Sequence, residues 1–289
     1  MADPTPRSPD RKLGLVAPIS IALACAAIVI AVLAFGGDRK PTAPPAPPPK
    51  AAPVAPTPAV AAPIPPVARA DLLDAARALA DAYASDDKSA LAAKSPLAGR
   101  AFVLRLPFGC EGPQLGYGVA QAFYELDPEA RTVRLIANPG AWTALPLFQE
   151  GPDAKRIEAV EGFWIPRPWS HAEACPPQRP RTVPAAPSPA ATPSLGLARL
   201  FAADDSRLAR RNARGYEKAL KLGEEEPLRP PQGYRLVLEG RFATFPDGRT
   251  ARCWSESADH RPVCVYAVTF DRVAFETGDD GRLLAEWRD

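Results

Sequence analysis

From Leu13 to Phe35 the chain reads LGLVAPISIALACAAIVIAVLAF without a single charged side chain. At 1.5 Å per residue such a run makes a helix of roughly 35 Å, long enough to cross the hydrocarbon core of a bilayer. Pro18 falls in or just after the first turn, where a missing N–H costs little. Arg11 and Lys12 precede the run, and Asp38, Arg39 and Lys40 follow it. No polar face interrupts it, so a helix of a water-soluble core is a poor account. A cleaved signal peptide carries an apolar region of about 7–15 residues before a small-residue cleavage site. This run is longer, and its exit is Gly36-Gly37-Asp38. A lipoprotein fits no better, because Cys25 follows Ala22-Leu23-Ala24 and the apolar run continues past it. The expectation is a retained transmembrane helix over residues 13–35 behind a short cytoplasmic tail of residues 1–12.

Orientation does not follow from charge, since Arg7, Arg11 and Lys12 before the span balance Arg39, Lys40 and Lys50 after it. The cysteines bear on it instead. Beyond the span stand Cys110, Cys175, Cys253 and Cys264, an even number with three possible connectivities. Cys253 and Cys264 sit at the ends of two strand-like runs around WSESADHRPV, where they can face each other across a hairpin. That leaves Cys110 to pair with Cys175, closing a loop worth about 4 kcal/mol in chain entropy against about 3 for the shorter one. Disulfides persist in oxidising compartments. The expected location is therefore the inner membrane, single-pass, with the N-terminus cytoplasmic and the C-terminal domain periplasmic. Separate buried thiols are the competing account. A zinc site is disfavoured, because no CxxC occurs and the only histidines are His171 and His260.

The 37 prolines limit how much of the chain can fold. Residues 41–68, PTAPPAPPPKAAPVAPTPAVAAPIPPVA, hold proline at twelve positions, and the linker is read over 36–68. In polyproline II geometry its 28 residues reach roughly 87 Å. A second proline-rich stretch at 176–194 is read as a loop within one β-rich domain of residues 69–289. Small sheets need a second layer over their apolar face, which argues against two separate lobes.

Within that domain the periodicity predicts a helix over 69–84, with Leu72, Ala76, Leu79 and Tyr83 on one stripe and Asp71 as its cap. From Arg100 the period becomes that of strands. AFVLRLPF alternates over 101–108, QAFYEL-DPEAR-TVRLIAN reads as a hairpin over 121–138, and another strand is expected within 156–166. The C-terminal region reads as four consecutive antiparallel strands in a meander, with Asp247-Gly248 as a hairpin turn. VCVYAVTF is apolar at nearly every position, as a central strand buried on both faces would be. The fold class expected is mainly β (α+β): one transmembrane helix, a proline-rich linker, and antiparallel strands with one or two covering helices.

Chemistry-bearing patterns are sparse. There is no GxSxG, HExxH, P-loop or GxGxxG in its required setting. His171 stands four residues before Cys175, but a paired cysteine offers no thiolate. No catalytic, metal or cofactor residue is assigned. A net charge of +2 with mixed signs makes nucleic acid a poor partner. Two features suit partner binding. Arg207, Arg210, Arg211 and Arg214 recur at helical spacing, and GFWIPRPW presents Trp164 and Trp169 around two prolines.

The layout of tail, single span, spacer and C-terminal domain is similar to that of TonB-like energy transducers and of several secretion and envelope-assembly proteins. The anchor, the long spacer and the lack of a recognisable catalytic set point to a non-enzymatic envelope component binding another protein or a wall component through the β-rich domain. A membrane-tethered cell-wall enzyme and a small-ligand-binding β-barrel are the alternatives.

Overall fold

A computed structural model describes residues 64–114, 121–150, 154–177, 192–205, 210–212 and 214–288. The expected span at 13–35, most of the linker and Arg207 lie outside the described residues, as does the 178–191 part of the second proline-rich stretch. Among the described residues no helix is long and apolar enough to cross a membrane.

Helix α1 (Arg69–Ala84) covers the predicted span. Asp71 acts from the third helical position, its carboxylate accepting the Ala68 N–H at 3.0 Å, while Ala68 itself stands at the cap. Leu72, Leu73 and Ala76 are buried, Leu79 packs against the same core, and Tyr83 is only half-buried. A short α2 (Lys88–Ala92) follows, capped by Asp87, whose carboxylate accepts from Ser89 N and Ala90 N at 3.0 Å each. The sheet begins before α1. Val67 is fully buried and bridges Phe102 in parallel, its N–H donating to Ala101 O at 2.8 Å and its carbonyl accepting from Val103 N at 3.1 Å.

The strands are β1 (Ala101–Phe108), β2 (Ala122–Asp127), β3 (Thr132–Ala137), β4 (Gly140–Ala141), β5 (Ala159–Trp164) and β6 (Leu195–Phe201). A four-residue α3 (Pro146–Gln149) lies between β4 and β5. Beyond β6 come β7 (Tyr216–Lys221), β8 (Tyr234–Phe242), β9 (Ala251–Trp254), β10 (Val263–Thr277) and β11 (Leu283–Arg288). The β2–β3 hairpin forms as expected and carries β7 on its far side, making a three-stranded sheet. The other eight strands share one sheet, in the order β1-β8-β10-β6-β5-β4 with β9 and β11 also on β10. The fold is thus mainly β with few helices, and its larger sheet is mixed: β6 runs parallel to β10 from Leu195↔Cys264 to Ala198↔Ala267.

The expected meander is corrected. β8 and β9 do not pair with each other but lie end to end along one edge of the fifteen-residue β10. Ala267 shows this at one residue, accepting from Ala243 N and donating to Thr250 O, both at 2.9 Å. The Asp247-Gly248 turn itself closes, Gly248 N donating to Phe245 O at 2.9 Å and Phe245 N to Arg249 O at 2.7 Å with Gly248 at φ +84°, but the strands on either side of it do not pair. Phe245 is the physical reason: it is 1% exposed and faces the Phe148 ring at 6.1 Å, so it draws the connection into the core before a β8–β9 ladder can form. VCVYAVTF is the buried first part of β10, as its composition predicts.

Rings fill the core, with Tyr124, Tyr234, Phe108, Phe275, Trp287 and Tyr216 in successive contact at 5.1–5.8 Å between centroids. Both predicted disulfides are present, Cys110–Cys175 and Cys253–Cys264, the latter joining directly paired residues of β9 and β10. Two disulfides fit a domain residing in an oxidising compartment outside the cytoplasm.

Candidate docking site

After β5 the chain leaves the sheet as a strap, residues 165–175, that carries the IPRPW motif. Prolines at 166 and 168 remove two N–H donors and fix φ, so the strap cannot add to the sheet and must be held by other means. Its entry is held by Ile165 N donating to Leu195 O at 2.9 Å. A turn closes from Arg167 O to Ser170 N at 3.0 Å, with Arg167 at φ +49°, a left-handed conformation uncommon for a side chain of that size. Its exit is the Cys110–Cys175 disulfide, and Arg235 Nε donates to Glu173 O just before it.

The middle is held by one side chain that the sequence patterns did not single out. Arg69, the first residue of α1, is 1% exposed. Its Nε donates to Ser170 O at 2.9 Å, and its Nη2 to Pro166 O at 2.6 Å and Arg167 O at 3.0 Å. A single guanidinium thereby gathers three carbonyls of the strap. No carboxylate pairs with it among the described residues, and its Nη1 has no hydrogen-bond partner. Burial first, and the nearby Arg167 cation second, lower its pKa to about 10, against a smaller opposing effect of Glu173. It stays charged at neutral pH. A clue existed in the sequence: a cation in the first turn opposes the helix dipole, so an arginine there calls for a tertiary reason.

Held at these points, the strap turns Trp169 outward, 61% exposed. Beside the indole, a recess of ≈ 90 Å³ opens between α1 and the strap. Its walls are Leu73, Ala76 and Ala80 of α1, Pro168 and Trp169 of the strap, Leu195, and Pro262 before β10, with Ser194 and the arginines Arg77 and Arg261 completing it. The volume exceeds that of a lone water and is on the scale of one aliphatic side chain. Asp74 bridges helix and strap, 3.3 Å from Arg77 and 3.6 Å from His171.

The two tryptophans of the motif are not brought together. Trp164, the last residue of β5, stacks on Trp142 at 4.0 Å between ring centroids, and its N–H is bound by Gln121 Oε1 at 2.6 Å. Trp142 lies against backbone, where a Cβ at Gly162 or Gly196 would meet its ring at 2.6 or 2.9 Å. Trp164 therefore belongs to packing.

Arg210, Arg211 and Arg214 are not on a helix. Residues 210–212 and 214–215 form an irregular turn before β7. Arg210 is 7% exposed and binds both Glu158 carboxylate oxygens at 3.0 and 3.1 Å, with a further bond to Ala202 O. Arg211 lies 4.3 Å above the Tyr216 ring and donates to Gly215 O, while its own N–H and that of Asn212 bind the buried Glu161 carboxylate at 2.8 and 2.7 Å. Arg214 returns a bond to Arg211 O at 3.2 Å. The spacing that suggested a helical stripe instead serves a turn in which Arg210 is buried, Arg211 is half-buried and Arg214 is exposed.

A second, shallower recess of ≈ 360 Å³ lies where β6 ends its pairing with β10; Arg199, Asp205, Thr244 and Thr269 are among its lining. It carries both charge signs and no exposed aromatic ring. No group of three or more His, Cys, Asp or Glu is placed to hold a metal among the described residues. The chain matches no protein-family model, no curated protein and no solved structure.

Proposed function

We propose that this chain is a non-enzymatic binding component of the cell envelope: a single-pass inner-membrane anchor, a proline-rich spacer, and a periplasmic domain that docks a partner at the Trp169 recess. The observation that carries this reading is an exposed indole on a pre-organised loop. A tryptophan already fixed in its presenting conformation loses little freedom on binding, which is why such residues concentrate interface energy. Arg69, the Ile165 contact and the Cys110–Cys175 bond supply that fixing. The uncharged run at 13–35 supports the anchor, and the two disulfides support the compartment.

The test places a photo-crosslinking phenylalanine analogue at Trp169 of the full-length protein in its native membranes, with the exposed Lys218 on β7 as control. One discrete adduct from position 169 and none from 218 is the expected result. No adduct from 169, or the same adducts from both, would overturn the docking reading. Release of the protein by alkaline carbonate would remove the membrane anchor from it.

A further inference from the structure

We infer that the occupant of the Trp169 recess is an acidic peptide segment of a partner protein, with one apolar side chain entering between α1 and the strap and its carboxylates meeting Arg77 and Arg261. This rests on the docking reading above and adds the chemistry of the partner.

Three observations converge on it. The first is the lining, in which seven of the ten residues are apolar: Leu73, Ala76 and Ala80 of the helix, Pro168 and Trp169 of the strap, and Leu195 and Pro262. A peptide side chain asks only for such walls. A sugar ring asks for side chains that accept from its hydroxyls as well as donate to them, and Ser194 is the one side-chain acceptor in the lining.

The second is the sign of the charge at the recess. Its two charged lining residues are both arginines. Arg77 shares Asp74 in a solvent-exposed pair, which is worth little and is readily exchanged for another carboxylate. Arg261 is exposed and has no ion pair among the described residues.

The third lies behind the strap. Arg69 and Arg167 donate to backbone carbonyls, and Arg167 also reaches Cys110 Sγ at 3.9 Å, so neither charge is cancelled by direct contact with a carboxylate. Glu173 and Glu111 act on them only at longer range. Neutral acceptors fix a guanidinium without neutralising it, and the surplus positive potential favours an anionic segment.

A random heptapeptide library on beads, sorted against fluorescent full-length protein in neutral detergent, tests the inference directly. Sequences with Asp or Glu on either side of an apolar residue should be enriched with the wild type and lost with Trp169→Ala. A selected peptide should weaken about fivefold on Arg261→Glu and lose affinity steadily as salt rises from 50 to about 500 mM. Enrichment of neutral or basic peptides, enrichment untouched by Trp169→Ala, or no enrichment would each overturn the acidic-peptide assignment. The photo-crosslinking result separates that failure from failure of the docking site itself. An adduct at position 169 without acidic peptide selection leaves the site standing with a partner of different chemistry, and loss of both removes site and partner together.

Discussion

Two irregular segments of this domain are nailed down by a buried arginine, and they end in opposite states. In the turn at 210–212 and 214–215, Arg210 meets a carboxylate, Glu158, and Arg211 is turned onto the Tyr216 ring and Gly215 O. In the strap at 165–175, Arg69 meets only carbonyls, and the loop it holds pushes a tryptophan into solvent. The first arrangement cancels its buried charge against a carboxylate. The second is over-built for a connection between strands, because a loop whose sole task is to join β5 to β6 has no need of a desolvated cation and a disulfide to fix it.

The strongest test of that contrast is covalent. Replacing Cys110 and Cys175 by serine should cost about 4 kcal/mol in urea unfolding, against about 3 for the Cys253–Cys264 pair, and only the former should weaken docking at the recess. Next comes Arg69→Met, expected to cost about 2–3 kcal/mol because three carbonyls lose their donor. Arg210→Met should cost only about 1 kcal/mol, because the Glu158 side chain is 38% exposed and rehydrates. Equal costs for the two arginines would break the comparison. The tryptophans sharpen it further. Trp164→Ala should destabilise by about 3 kcal/mol through the lost stack on Trp142, measured by thermal and urea melts. Trp169→Ala should change stability by less than about 0.5 kcal/mol while abolishing the crosslink and the peptide signal.

What could be read from the sequence was what is local. The bounds of α1 and β1, the β2–β3 hairpin and the buried character of VCVYAVTF all follow from periodicity over fewer than twenty residues. The disulfides were legible because few cysteines leave few pairings. The parallel placement of β6 on β10 was not, since strand period says which face is buried and nothing about which neighbour a strand takes. Asp-Gly chemistry marked the turn at 247–248, which closes, but not the fate of the strands beyond it, which the inward Phe245 sends to separate stretches of β10. Trp164 and Trp169 share a motif, yet one ends a paired strand and the other sits on a loop barred from pairing by prolines. The partners of Arg69 escaped, because they lie 97 to 101 residues away and are backbone atoms that no side-chain pattern reports.

Val67 and Arg69 are separated by one residue, and that adjacency makes the domain sensitive to pulling. A load arriving along the chain from its N-terminal side meets the two hydrogen bonds joining Val67 to the edge of β1 before it reaches anything else in the described sheet. While those bonds hold, the helix start is shielded from tension. Once they peel, the next side chain in line is the guanidinium that sets the strap, so tension applied ahead of Val67 would pass to the support of the Trp169 indole.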